Sequence, residues 1–180
     1  MCLPTLRCPR DYAGTLIRGY RMGLLAEEFL PFLRAAKRAT YAAAAGRPAT
    51  PALLPDARQF EFADGEFLYR DSYVGVTRFA GQEIVYRGDQ AVWSMGYAGG
   101  LAPGVVPAAA GRLYDVLRAA LAAPPPERPL RGPAEFQADD LHYRCAVVGD
   151  WREFHGAEAI HDNGGTGLYE LRFCGGVVSG

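Results

Sequence analysis

Residues 69–83, YRDSYVGVTRFAGQE, are echoed by residues 143–158, YRCAVVGDWREFHGAE. Both stretches open with Tyr-Arg, carry a glycine six residues later (Gly75 and Gly149), and close on Phe-x-Gly-x-Glu. The second stretch has one extra loop residue, so Glu83 corresponds to Glu158. A single small meander of strands cannot bury its apolar face alone, whereas two can bury theirs together. The repetition therefore predicts an internal duplication, with repeats at residues 66–100 and 140–176.

Alternating side chains predict the strands of the first repeat. One strand places four residues on the same face: Phe67, Tyr69, Asp71 and Tyr73. The next places Glu83 beside Val85, residues 87–90 form a turn, and a third strand aligns Trp93, Met95 and Tyr97. The expected fold class is α+β: internally duplicated three-stranded antiparallel meanders that form a sheet of about six strands, covered by two main helices.

Helical periodicity predicts the covering elements. A first helix is expected over residues 27–45, starting at residues 26–28 so that Pro31 falls in its first turn. Its apolar stripe consists of Phe29, Leu33, Ala36 and Thr40. Residues 46–59 are expected to form an irregular crossing loop, and residues 108–122 a second helix. Residues 1–23 show no clear period, which predicts a flexible N-terminal arm before a single domain at residues 24–180.

Charge and hydropathy restrict the partners that we expect. A net charge of −1 over 180 residues lacks the surplus of Lys and Arg that phosphate backbones require, so direct nucleic-acid binding is not expected. No apolar run approaches the roughly 20 residues that cross a bilayer. Charged residues interrupt any apolar core of a signal peptide near the N-terminus, so we expect a cytoplasmic protein with no membrane partner.

Five segments resemble a known family in order along the chain: FLRAAKRATYA, DSYVGVTRFAGQEIVY, VWSMGYAG, LRGP and LYELRFCGGVV. They are similar to a bacterial domain family of unknown function, found alone or C-terminal to Xre-type helix-turn-helix DNA-binding domains. The resemblance covers about residues 28–178. It implies no established activity, but it implies that the domain is a sensor where a DNA-binding domain precedes it. The 23-residue lead of this sequence is expected to be too short to form such a domain.

Lys37 is the single lysine beside 18 arginines. Arginine replaces lysine wherever either serves in such a composition, so a surviving lysine is a candidate for a role that arginine cannot fill. Chance survival is the alternative. Tyr41 lies four residues further along the predicted helix, on the same side as Lys37, and joins it as a candidate ligand-binding residue.

Glu83 and Glu158 each lie beside β-branched residues on a predicted core face. A buried carboxylate is costly unless it is paired or protonated, and such groups are enriched at functional sites. The two glutamates are therefore candidates to hold a ligand or to act as general acid and base. The structural alternative is that each accepts hydrogen bonds from arginine or the backbone and fixes the strand locally.

The remaining candidates come from polarity that appears in one repeat alone. Asp71 and Tyr73 correspond to Cys145 and Val147 in the second repeat, so the first repeat is the one expected to line a pocket, unless the polar face is simply exposed. Arg131 follows a stiff proline-rich connector and could clamp an anionic ligand or pair with a glutamate. Trp93 belongs to an aromatic set that could form either a pocket wall or the core.

Three functions remain open from the sequence. The first is a small-molecule-binding domain of the sensor type, whose ligand is unidentified. The second is an enzyme that uses the paired glutamates, or Glu83 with Lys37, for acid–base chemistry, although no catalytic residue is assigned. The third is an interaction module that forms a homodimer through its sheet edge. No cofactor is predicted, and no metal site, because the cysteines and histidines lack ligand spacing.

Overall fold

The computed structural model describes residues 22–43 and 50–178, which form two helices and eight strands. The helices are α1 (Met22–Ala39) and α2 (Pro107–Leu121). The strands that precede α2 are β1 (Arg58–Asp64), β2 (Phe67–Gly75), β3 (Arg78–Arg87) and β4 (Gln90–Leu101). The strands that follow it are β5 (Glu135–Ala138), β6 (Leu141–Asp150), β7 (Glu153–Asp162) and β8 (Gly167–Val177).

The strands form one antiparallel sheet in the order β1-β2-β3-β4-β8-β7-β6-β5. Each half is a four-stranded meander, and β4 pairs with β8 at the centre. The α+β class and the antiparallel sheet are confirmed, but the expectation of about six strands was wrong, because β1 and β5 add one strand to each outer edge. The internal duplication stays a prediction.

Each of the two additional strands follows a proline-rich segment, which the sequence pattern assigns to a loop or connector. The predicted crossing loop was extended to residue 59, yet β1 begins at Arg58, and its buried Phe60 pairs with Asp71 of β2. The four-residue β5 follows the connector APPPERPLRGP and pairs with β6. Each of these strands pairs with one neighbouring strand and packs against a helix, and local sequence does not reveal these contacts.

One face of the sheet carries the core. The alternation predicted for β2 is confirmed, because Phe67, Tyr69, Asp71 and Tyr73 are all buried. Trp93, Met95 and Tyr97 of β4 are buried as well, and residues 88 and 89 form the tight turn between β3 and β4. Helix α1 packs on β1 and β2, and α2 packs on β5 and β6. The helices therefore cover the two ends of the same sheet face.

Helix α1 differs from its prediction at both ends. It begins at Met22, inside the predicted arm, so Pro31 lies in the middle of the helix. The ring of Pro31 is on the exposed side, where water can satisfy the carbonyl that has no helical partner. The helix ends at Ala39 rather than at residue 45, and residues 40–43 form a turn in which Thr40 Oγ1 donates to the Ala36 carbonyl at 2.8 Å.

The remaining predictions concern the apolar stripe of α1, the N-terminal arm and the absence of a membrane span. The predicted stripe of α1 is confirmed, since Phe29, Leu33, Ala36 and Thr40 are all buried. Residues 1–21 of the arm predicted at residues 1–23 lie outside the described residues, as do residues 44 and 45 of the predicted first helix. Helix α1 starts two residues before the predicted domain boundary at residue 24. Neither described helix is long and apolar enough to cross a membrane.

Candidate functional site

A cavity of about 130 Å³ opens between the two helices and the first half of the sheet. We call it the Lys37 cavity. Six of the eight sequence-predicted site residues line it: Lys37, Tyr41, Asp71, Tyr73, Glu83 and Arg131. They come from α1 and the turn after it, from β2 and β3, and from the loop between α2 and β5. The fold thus brings together residues that are far apart in the chain.

Lys37 and Glu83 form the ion pair at the base of this group. Lys37 Nζ lies 2.5 Å from Glu83 Oε2, and the two residues are 8% and 3% exposed. Burial lowers the pKa of Lys37, while the charge of Glu83 partly opposes that effect. The pair joins α1 to the middle of β3, so the only lysine of the chain is a buried cation beside open space.

Asp71 is the second carboxyl of the cavity. It pairs directly with Glu83 across β2 and β3 and is 5% exposed. Tyr97 Oη donates a hydrogen bond of 2.6 Å to Asp71 Oδ1. Burial, followed by the negative charge of Glu83, raises the pKa of Asp71 from 3.8 to about 7. The carboxyl of Asp71 therefore gains and loses its proton near neutral pH, which suits it to binding a polar ligand or to acid–base chemistry.

Glu158 is buried at 1% exposure but does not line the cavity. Arg131 holds it with two bonds, from Nη2 to Oε1 at 2.5 Å and from Nε to Oε2 at 3.0 Å. Tyr143 Oη donates to Oε2 at 2.7 Å and Tyr169 Oη to Oε1 at 3.0 Å. Burial opposes ionisation of Glu158, but these donors outweigh it and lower the pKa. The structural alternative, a carboxylate saturated by arginine, describes the contacts of Glu158.

Arg131 connects the two glutamates. Besides its bonds to Glu158, its Nη1 atom lies 3.9 Å from Glu83 Oε1, and its guanidinium lies 5.8 Å from the centre of the Tyr97 ring. The adjacent Gly132 permits this depth, because a Cβ there would lie 2.9 Å from Tyr143 Oη. The loop thereby places the guanidinium of Arg131 beside both buried glutamates.

Aromatic rings form the wall of the cavity. Tyr41 packs edge-on against Tyr73 with ring centres 6.4 Å apart, and Tyr73 packs in the same manner against Phe79 at 6.2 Å. Burial raises the pKa of Tyr41 to about 12, so its hydroxyl keeps its proton. Gly81 makes room for these rings, because a Cβ there would lie 2.4 Å from Tyr97 Oη and 2.6 Å from Tyr73 Cβ.

Two further arginines line the cavity that sequence reasoning did not select. Arg58 is exposed, and its guanidinium lies 6.0 Å from the centre of the Tyr73 ring. Arg118 of α2 pairs with Asp115 one turn earlier. Tyr114, another residue missed from the sequence, lines the cavity from α2 and donates to the Val76 carbonyl. A sequence signal for Tyr114 is its position three residues before the apolar Leu117, which places the two on one side of a helix.

Trp93 does not line the cavity. It is fully buried, and its Nε1 atom donates to the Trp151 carbonyl at 2.9 Å. Its ring stacks on Phe154 with centres 5.7 Å apart and packs against Phe29. These contacts are those of a core residue that joins the two halves of the sheet. Within the described ranges, no three His, Cys, Asp or Glu side chains form a group that could hold a metal ion.

The fold and the site define an α+β domain with one eight-stranded sheet and a buried cluster of charges on its covered face. A family model described as "Domain of unknown function (DUF5680)" matches residues 71–178, and the chain belongs to this family. The matched region includes Asp71, Glu83, Arg131 and Glu158, whereas Lys37 and Tyr41 precede it. Searches of curated proteins and of solved structures found no match.

Proposed function

We propose that this domain binds a small polar organic molecule in the Lys37 cavity and serves as a sensor-type module. The observation that carries the proposal is that Lys37, Asp71 and Glu83 are nearly fully buried and yet line open space. Burying charge is expensive, and a fold that only needed stability would fill such a place with apolar side chains. A ligand with polar groups would explain why these side chains are kept there.

The dimensions support a small ligand. An apolar cavity of about 150 Å³ accepts benzene in another protein, and the Lys37 cavity has a volume of about 130 Å³. A few polar groups converging on a mostly aromatic surface is the usual composition of a small-molecule site. The site would fix the ligand's orientation through the charges at its base and hold its body against the tyrosines.

An enzyme that uses Glu83 and Glu158 as acid and base has less support. Both oxygens of Glu158 accept two donors each, and Glu158 does not line the cavity. An interaction module that dimerises through a sheet edge is the remaining alternative. The predicted bacterial origin and the association of relatives with Xre-type domains stay predictions as well.

A heat-shift screen of small polar metabolites tests the proposal. A ligand present at about 100 times its Kd adds about 2.7 kcal/mol to the free energy of unfolding, which raises the Tm by roughly 5 to 10 °C for a chain of this size. Gly81→Ala should remove most of that response, because its Cβ would displace Tyr97 and Tyr73. Gly96→Ala is the matched control, since a Cβ there meets nothing within 4 Å.

Two results would count against the binding function. If no compound of any charge class stabilises the protein, the interaction module becomes the better interpretation, and light scattering would then test for a dimer. If a ligand is found but Gly81→Ala and Gly96→Ala respond to it equally, the ligand occupies another place on the molecule.

A further inference from the structure

We propose that the ligand of the Lys37 cavity is a small organic amine, bound in its protonated form with its ammonium group on the carboxylate of Asp71. This inference rests on the proposed function and assigns the chemical class of the ligand. Three features support it: the balance of buried charges, the aromatic wall of the cavity, and the proton that Asp71 would release on binding.

The buried charges do not balance when all are ionised. Two cations, Lys37 and Arg131, face three carboxyls. Lys37 is committed to Glu83 and Arg131 to Glu158, so each of these pairs is neutral. Among the described residues, no lysine or arginine forms an ion pair with Asp71, whose one side-chain donor is the neutral Tyr97. Asp71 must therefore carry a proton or meet a cation from outside the protein.

The surroundings of Asp71 suit an organic cation. Aromatic rings attract a cation placed over their faces, because the ring face carries partial negative charge. The rings of Tyr41, Tyr73, Phe79 and Tyr97 all line the cavity that Asp71 lines. A carboxylate inside an aromatic wall is a combination that recognises an ammonium group by charge and by ring contact together. A carboxylate ligand would instead add a further negative charge beside Asp71 and Glu83.

The cations around the cavity do not reverse this preference. Arg131 and Lys37 are neutralised by their glutamates, and Arg118 by Asp115. Arg58 is the remaining cation, and its exposed guanidinium is screened by water. Asp71 faces one residue from each element around it. These residues are Phe60 of β1, Glu83 of β3, Tyr97 of β4, Lys37 of α1 and Arg131 of the loop after α2. The cross-strand partner of Asp71 on β3 is thus itself a carboxyl, so it supplies no positive charge to Asp71.

The protonation of Asp71 gives the binding a definite pH dependence. In the free protein the pKa of Asp71 is about 7, and an ammonium bound to the carboxylate would lower it. Binding an amine therefore releases a proton below pH 7, and the Kd should rise about tenfold between pH 8 and pH 6. A ligand that binds the neutral acid through a carbonyl or an anionic group would show the opposite trend.

Benzylamine, benzoate and benzyl alcohol form a matched set of probes, because they share a ring and differ in charge. We expect benzylamine to raise the Tm in a concentration-dependent manner, with a Kd about tenfold lower at pH 8 than at pH 6, and we expect little response to the other two. Asp71→Asn should abolish the benzylamine response and its pH dependence. Asp89→Asn, the same change in the exposed turn between β3 and β4, should preserve both.

The outcomes separate this inference from the proposed function. If benzoate or benzyl alcohol stabilises the protein more than benzylamine does, or if the metabolite screen finds ligands but none is an amine, the cavity binds another class and the amine assignment is wrong. A benzylamine response that survives Asp71→Asn also overturns it. If no compound of any class binds, the proposed function fails and the amine assignment fails with it.

Discussion

Each half of the sheet buries a glutamate at the same position in its third strand. The two halves compensate the buried negative charge in different ways. Glu158 lies opposite Cys145 and Leu171, and Glu83 lies opposite Asp71 and Met95. Each oxygen of Glu158 accepts two hydrogen bonds from Arg131, Tyr143 or Tyr169, and Glu158 does not line the Lys37 cavity. Around Glu83 a second carboxyl replaces the thiol of Cys145, and open space remains.

Two halves with the same strand order thus treat a buried carboxylate in different ways. The Glu158 half shows that this fold can bury a carboxylate with all of its needs met internally. The Glu83 half keeps the same carboxylate and adds Asp71, which has no cation of its own within the described residues. This difference between Glu83 and Glu158 is the reason that we propose the binding site in the first half. Four experiments test this contrast.

The largest effect is expected from Glu158→Gln. The substitution keeps the shape of the side chain but leaves the buried guanidinium of Arg131 without its main counter-charge. Breaking a buried pair in this way costs about 3 to 5 kcal/mol of unfolding free energy. Urea denaturation at pH 7 measures the loss. Glu170→Gln, on the exposed side of β8, is the control and should change stability by less than about 0.5 kcal/mol. Equal losses of stability in the two variants would show that the contacts of Glu158 with Arg131, Tyr143 and Tyr169 do not stabilise the fold.

Asp71→Asn is the second test, and its signature is a dependence on pH. The pKa of Asp71 is raised to about 7 in the folded protein. The folded state thus keeps a proton that the unfolded chain has already lost, and stability falls as pH rises from about 4 to about 7. Between pH 5.5 and pH 8 the fall should be about 2 kcal/mol in the native protein and near zero from this site in the variant.

Urea denaturation across this pH range, with Asp89→Asn as the matched control, makes the comparison. Glu158, whose pKa is lowered, contributes with the opposite sign: its stabilisation is present at neutral pH and is lost only in acid. If native protein and Asp71→Asn have parallel pH profiles, Asp71 is not the group that distinguishes the first half from the second.

Much of this contrast could be predicted from the sequence, for identifiable reasons. The alternation of Tyr69, Asp71 and Tyr73 fixes a common face, and Glu83 beside Val85 fixes burial, because strand period alone determines both. The lone Lys37 was recognised from composition. What pattern could not reveal is which cation pairs with which glutamate, since that depends on the depth of the loop that carries Arg131. The edge strand β1 and the cavity-lining Arg58 at its start were missed for a related reason, since β1 depends on pairing with β2 and on contact with α1.

Lys37→Arg is expected to weaken binding more than folding. The ammonium of Lys37 fits within 2.5 Å of Glu83 at 8% exposure, and the broader guanidinium would have to extend into the cavity. We expect the Kd for benzylamine to rise about tenfold, which corresponds to about 1.4 kcal/mol, while the midpoint of urea unfolding stays close to that of the native protein. The neighbouring Arg38→Lys, on the exposed side of α1, is the converse control. Unchanged affinity in Lys37→Arg would mean that the lysine is retained for packing alone.

Tyr97→Phe makes the first half more like the second, because Tyr97 pairs across the central strands with Phe173. The variant loses the 2.6 Å hydrogen bond to Asp71, so we expect about 1 kcal/mol of destabilisation at pH 6. That bond favours the ionised carboxylate, so its loss should raise the pKa of Asp71 further and make the destabilisation larger at pH 8. Urea denaturation at both pH values measures the difference, with Tyr86→Phe on the half-exposed side of β3 as control. A loss that is equal at the two pH values would show that the hydroxyl stabilises the fold without acting on Asp71, and the first half would then differ from the second in packing rather than in charge.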